Sequence, residues 1–225
     1  MNLLTDLQYF PPYNLFKISY KFSNIVFDQY EYYQKMSFRN RCQIAGAEGM
    51  INLSVPLAKG RDQKTIMKDV KISDRDNWQD QHWKTILSCY SRSPWFEYYR
   101  DGLEDLYLRP FVFLLDWNLH CFEWTIRALQ MPVKFSLTDE YRKFYDETDW
   151  IDLRGRLLPK DRDQLLDIPV LGNEIAATEE TRRPVRYRQV FEERTGFFPN
   201  LSVLDLLFNV GKEAGELLRN SRMKV

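Results

Sequence analysis

The densest concentration of possible chemistry lies between two apolar runs, Ile25-Val26-Phe27 and Cys42 to Ala45. Tyr33, Lys35, Asn40 and Arg41 sit between them, with Asp28 and Arg39 in the same stretch. Arg41 can hold a phosphate or carboxylate through two parallel N–H bonds, and Lys35 can do so as a point charge. Asn40 offers a donor and an acceptor at once. Tyr9, Tyr13 and Tyr33, together with Tyr30 and Tyr32, carry rings with polar tips that suit stacking on a sugar or nucleobase. His82, four residues after Trp78 and beside Trp83, has the imidazole expected of a general base acting on a sugar hydroxyl or amine. Asp205 and Asn209 share one helix face and can close such a pocket. Each has a plainer reading. Polar residues collect at solvated chain turns, alternate tyrosines pack, and His82 can make one structural hydrogen bond beneath an aromatic cap. Arg182, Arg183, Arg186 and Arg188 form a basic cluster that reads as a salt-bridged helix start or as a contact for an acidic ligand or protein partner.

These groups need rigid carriers. Leu3 to Phe10 reads as a strand stopped by Pro11-Pro12, Tyr13 to Phe22 as a helix, and Ile25 to Phe27 as a second strand. A helix between two strands makes a parallel pair, whose ligands sit beyond the carboxyl ends of the strands. Tyr9 to Tyr13 and Asp28 to Tyr33 would both lie there. Tyr33 to Arg41 is expected to form a polar hairpin end. Met50 to Leu57 alternates apolar and polar residues after the Gly46 to Gly49 turn, which predicts an antiparallel partner for the preceding strand. Ile66 to Ile72 adds a possible strand, and a helix runs from Trp78 to about Ser91, capped by Asp74 or Asn77. Helices follow from Trp95 and over Phe111 to Leu129, then a capped helix at Thr138 to Tyr145. Asp146 to Asp152 is acidic, Pro169 to Glu180 is a loop, and Tyr187 to Thr195 is a short helix closed by Gly196. Ser202 caps Val203 to Asn209, and Gly211 separates a last amphipathic turn or two. The expected class is α/β: a mixed sheet from the N-terminal third, a largely helical C-terminal remainder, and a single domain over 1–225.

Composition bounds the rest. The 225 residues are 44% hydrophobic and 15% aromatic, ample for a packed core. Lys+Arg and Asp+Glu both number 32, so the zero net charge gives no drive for general nucleic-acid or anionic-membrane binding. Three scattered cysteines, Cys42, Cys89 and Cys121, argue against a disulfide framework and for a reducing, cytoplasmic setting. No run of about 18 uncharged apolar residues spans a membrane, and Met1 to Phe10 lacks the features of a secretory signal. No metal-ligand spacing, Rossmann fingerprint, phosphate loop or Gly-x-Ser-x-Gly elbow occurs, so no metal or cofactor is called for.

Several stretches together resemble the WbqC-like family of bacterial proteins. They are Gln8-Tyr9-Phe10-Pro11-Pro12-Tyr13, Tyr33-x-Lys35 followed by Asn40-Arg41, Ile66 to Tyr90 with Trp78 and His82, and Asp152-Leu153-Arg154 with Pro159-Lys160. Tyr187-x-Gln189-Val190-Phe191 and Leu201 to Asn209 look most like a Bacteroidetes-type subgroup. The family's usual Gln-Pro-Tyr-Phe-x-Pro-Tyr is met here without the proline after Gln8. The resemblance implies a transferase role in O-antigen or other surface-polysaccharide biosynthesis, and the leading expectation is a group transferase acting on an amino sugar or nucleotide-linked sugar. In that role Lys35 and Arg41 hold phosphate or carboxylate, Asn40 orients the acceptor, and His82 is the base. The alternative is a non-catalytic ligand-binding or scaffold protein of the same pathway.

Overall fold

The computed structural model describes residues 1–74, 77–161 and 184–220. Four strands form one parallel sheet in the order β5-β2-β1-β6: β1 Asn2–Thr5, β2 Asn24–Phe27, β5 Lys134–Leu137 and β6 Trp150–Asp152. Leu3, Leu4, Ile25 and Val26 are all buried, so the two central strands carry apolar residues on both faces, as a covered parallel sheet requires. The helix α1 (Tyr13–Ser19) makes the crossover from β1 to β2.

The sheet therefore differs from the expected mixed sheet of the N-terminal third. It recruits β5 and β6 from far along the chain, and the antiparallel pair stands apart as its own two-stranded sheet, β3 (Arg41–Gly46) against β4 (Gly49–Ser54). Parallel partners need not be neighbours in sequence, which is why short strands such as Trp150–Asp152 leave little trace in a local pattern. β3 and β4 are closed by the two-residue Ala47-Glu48 turn, with Gly49 at φ 129°. Helices occupy the middle of the chain as well as its end: α2 (Trp78–Tyr90), α3 (Phe96–Leu108), α4 (Leu114–Ala128), α5 (Glu192–Thr195), α6 (Val203–Val210) and α7 (Ala214–Arg219).

Aromatic packing joins these layers. Phe122 of α4 lies 5.8 Å from Phe16 of α1, 4.8 Å from Phe27 of β2 and 5.2 Å from Phe135 of β5, ring centre to ring centre. The C-terminal segment locks onto the N-terminal one: Tyr13 N–H donates to Leu201 O, Val203 N–H to Pro11 O and Ser202 Oγ to Phe10 O. Gly211 follows α6 at φ 71°, where a Cβ would lie 2.1 Å from the Trp95 ring, so only glycine fits.

Local expectations fare unevenly. α1, α2, α3, α4, the β3–β4 hairpin, the Ser202 cap and the Gly196 stop, at φ 77°, are all present. The strand expected over Leu3 to Phe10 ends at Thr5, because Asp6 and Gln8 leave the ladder to bond one another. Ile66 to Ile72 is a 3₁₀ turn at Met67–Asp69 flanked by isolated bridges at Ile66 and Ile72 instead of a strand. Thr138 to Tyr145 is not helical: Thr138 Oγ1 donates to Asp28 Oδ1 instead of capping a turn. The acidic stretch ends in β6, and only Glu192–Thr195 of the expected Tyr187 to Thr195 helix is helical. Pro169 to Glu180, Arg182 and Arg183 lie outside the described residues.

Candidate functional site

Every strand of the parallel sheet ends in a polar group. Asp6 follows β1, Asp28 follows β2, Thr138 follows β5, and β6 ends at Asp152, two residues before Arg154. The chain moves from β1 to β2 to β5 on one side, then returns to the other side of β1 as β6. The carboxyl edge beside such a reversal is where ligands bind in open α/β sheets.

Arg39 organises this edge. It is 1% exposed and lies on the segment between β2 and β3. Its Nη2 donates to both carboxylate oxygens of Glu31, 2.7 Å to each, and its Nε donates to Glu31 Oε1 at 2.9 Å. Its Nη1 lies 3.6 Å from Asp6 Oδ2 and 3.5 Å from Gln34 Oε1. Asp6, fully buried, accepts from Gln8 Nε2 at 2.8 Å and from Gly155 N–H at 3.0 Å. Gly155 is at φ 65°, and a Cβ there would stand 3.1 Å from Gln34 Oε1, so the backbone approaches the cluster through a glycine.

A second arginine ties the outer strands together. Arg154 Nη1 donates to Asp28 Oδ2 at 2.6 Å, and its Nη2 donates to Asp152 Oδ2 at 2.7 Å. The same guanidinium donates to the carbonyls of Arg142 and Lys143, pinning the loop after β5. Asp28 Oδ1 also accepts from Tyr30 N–H. Asn118 of α4 donates to Leu7 O at 3.2 Å and to Arg39 O at 2.7 Å, holding together the two segments that carry Asp6 and Arg39.

Charge is uneven here, since Asp6 and Glu31 share one guanidinium. Burial pushes the Glu31 carboxyl up to about 8, Arg39 opposes the rise, and the Asp6 and Asp28 charges add to it. Arg39 itself is raised: burial lowers it, and the Asp6 and Glu31 charges more than offset that. A carboxyl raised by burial and fixed by a guanidinium is a candidate for general acid–base chemistry.

The residues singled out from the sequence fall into separate places. Tyr9 and His82 do meet: Tyr9 Oη and His82 Nδ1 are 2.9 Å apart, and Tyr9 Oη is 2.5 Å from Tyr107 Oη. All three are buried, with His82 stacked on Tyr9 and edge-on to Trp78. Burial lowers His82 to about 4, the Ser54 backbone opposing, so the imidazole is neutral. Tyr13 is buried with its Oη 3.5 Å from Val185 O. Tyr33 Oη donates to Asn40 Oδ1 at 3.0 Å, and Asn40 Nδ2 donates to Val55 O at 2.9 Å. Lys35 is exposed and paired with Asp62 at 2.5 Å. Arg41 begins β3, and its Nε is buried without a hydrogen-bond partner among the described residues. The expected Tyr33 to Arg41 hairpin is instead a linker between two sheets.

Asp205 and Asn209 belong to another buried network. Asp205 accepts from Tyr90 Oη at 2.7 Å, Tyr187 Oη at 2.7 Å and Gln189 Nε2 at 2.9 Å, while Asn209 Nδ2 donates to Asp205 O. Burial raises the Asp205 carboxyl, with the three donors opposing. Asp6, Glu31, Arg39 and Arg154 do not stand out as site residues in the sequence because their meeting is tertiary. A signal was nonetheless present, since Asp6 and Asp28 each stand directly after an apolar strand run.

The fold and its edge define an α/β protein with a parallel sheet whose strand ends carry a buried, charged cluster. The sequence matches the WbqC-like protein family over residues 8–217, and the chain belongs to that family. It is also 26% identical over 228 residues to the uncharacterised protein Rv1507c of Mycobacterium tuberculosis, covering 88% of each chain. No solved structure matches it significantly. Among the described residues no helix is long and apolar enough to cross a membrane.

Proposed function

We propose that this chain, as a single unit over 1–225 and of the Bacteroidetes-type subgroup, is a cytoplasmic group transferase of surface-polysaccharide biosynthesis of the O-antigen type. Its substrate would be an amino sugar or nucleotide-linked sugar. The observation that carries this reading is the Asp6–Arg39–Glu31 constellation at the carboxyl edge of the parallel sheet, with Glu31 held where it can give and take a proton. Glu31 takes a proton from the attacking hydroxyl or amine, and Arg39 fixes the carboxylate that does so. His82 supports the fold beside this edge through Tyr9 and takes no part in proton transfer.

The test begins with a thermal-shift screen against nucleotide sugars, acyl-coenzyme A species, amino acids and nucleotides. A ligand present at 100 times its dissociation constant stabilises the fold by about 2.7 kcal/mol, several degrees for a chain of this size. Turnover is then followed with the ligands that bind. Glu31→Gln should lower turnover by about 10²-fold or more with ligand affinity kept. Full turnover in that variant would remove Glu31 from the mechanism. Ligand binding without turnover in the unaltered protein would instead favour a non-catalytic binding or scaffold role.

A further inference from the structure

We infer that the Asp6–Gln8–Glu31 face of the strand-end cluster binds a primary ammonium group. The claim rests on the reading of this edge as the working site. It comes from counting donors and acceptors. The N–H groups of the cluster are already committed: Arg39 to Glu31 and Gln34, Gln8 Nε2 and Gly155 N–H to Asp6, and Asn118 Nδ2 to two carbonyls. What remains, beside the unpartnered Thr5 hydroxyl, is chiefly acceptor capacity. Gln8 is fully buried, its amide nitrogen is fixed on Asp6, and its Oε1 has no hydrogen-bond partner among the described residues. Asn118, also fully buried, leaves its Oδ1 in the same condition.

A buried acceptor with nothing to accept is costly, and a ligand supplying N–H or O–H donors relieves that cost. Charge chooses between them. Even with Glu31 protonated, the Asp6, Asp28 and Asp152 carboxylates face only the two guanidinium groups of Arg39 and Arg154 among the described residues, and so the edge has room for one more positive charge. An ammonium brings three donors and that charge, whereas a hydroxyl brings one donor and none. Gln34, bonded to Arg39, is exposed and forms the solvent side of the cluster.

The ammonium could belong to a sugar or to an amino acid. Dissociation constants are measured by NMR titration for D-glucosamine and L-alanine, with D-glucose and N-acetyl-D-glucosamine as uncharged controls. Binding of glucosamine or alanine, with at least about tenfold weaker binding of both controls, supports the site, and the tighter of the two ammonium carriers names its source. Gln8→Met should weaken that binding by about tenfold or more. Equal binding of glucosamine and N-acetylglucosamine, no binding of either ammonium carrier, or unchanged affinity in a folded Gln8→Met overturns the inference. Should that variant not fold, a crystal of the unaltered protein soaked in the tighter carrier decides. A ligand nitrogen on Gln8 Oε1 supports the site, and a water there with the ligand elsewhere overturns it. None of these readouts needs turnover. A chain that holds the amine and transfers nothing keeps this inference and loses the transferase reading.

Discussion

Arg39 Nη2 bridges both carboxylate oxygens of Glu31 at 2.7 Å each, in a site where Arg39 is 1% exposed. The pair is buried, so its worth depends on what is left behind when one partner goes. Arg39 also faces Asp6, and no other cation contacts either acid among the described residues.

Arg39→Met therefore leaves the buried Asp6 and Glu31 carboxyl groups without their guanidinium and removes the donors that Glu31 and Gln34 accept. The expected loss is about 3–5 kcal/mol of unfolding free energy, read as a lower urea midpoint at unchanged slope. Arg39→Lys should recover only part of it, since an ammonium cannot reproduce the fork to Glu31. A loss below about 1 kcal/mol in Arg39→Met would show that the cluster is solvated in solution.

Glu31 makes stability depend on pH in a defined direction. Its carboxyl rises from 4.5 in the unfolded chain to about 8 in the fold, with burial the largest cause. Between those values the folded state holds the extra proton, so Glu31 lowers stability as pH rises from about 4.5 through 8. Above the range in which His82 titrates, from about pH 6.5 to 8, the fall in stability with pH should flatten in Glu31→Gln relative to the unaltered protein. An identical pH dependence in the two would refute the shift.

His82 acts oppositely. Its folded value of about 4 lies below the ordinary 6.5, because burial disfavours the imidazolium. The unfolded chain binds the extra proton between these values, so stability falls as pH drops from 6.5 towards 4. His82→Ala removes that slope. It also removes one of the Tyr9 hydroxyl's two partners, Tyr107 Oη remaining, at a cost of about 0.5–1.5 kcal/mol near neutral pH. Turnover lost with melting temperature unchanged would restore His82 as a catalytic base.

Tyr187→Phe removes one of the three donors on buried Asp205 and should cost about 1–3 kcal/mol, the range for leaving a buried polar group short of a partner. Lys35→Ala, at an exposed and solvent-screened pair with Asp62, should leave the denaturation midpoint nearly unchanged. Both are read by chemical denaturation. The contrast separates the two places where the polar residues of the sequence ended up.

The sequence by itself determined the class of fold, the parallel β1–α1–β2 unit, the β3–β4 hairpin, the helices from Trp78 to Ala128 and the family, because each has a local period, a turn residue or a motif. It also located the polar stretch between Asp28 and Arg41, which does reach the carboxyl edge of the sheet through Asp28, Glu31 and Arg39. Which of those residues meet was decided by tertiary structure alone. Arg39 lies inside and Lys35 outside, though they are four residues apart and alike in charge. Residues 149 positions apart, Asp6 and Gly155, are joined by a hydrogen bond that no local pattern encodes. Strand pairing in a parallel sheet is non-local, so the ends of β1, β2 and β6 become neighbours only once the chain has closed on itself.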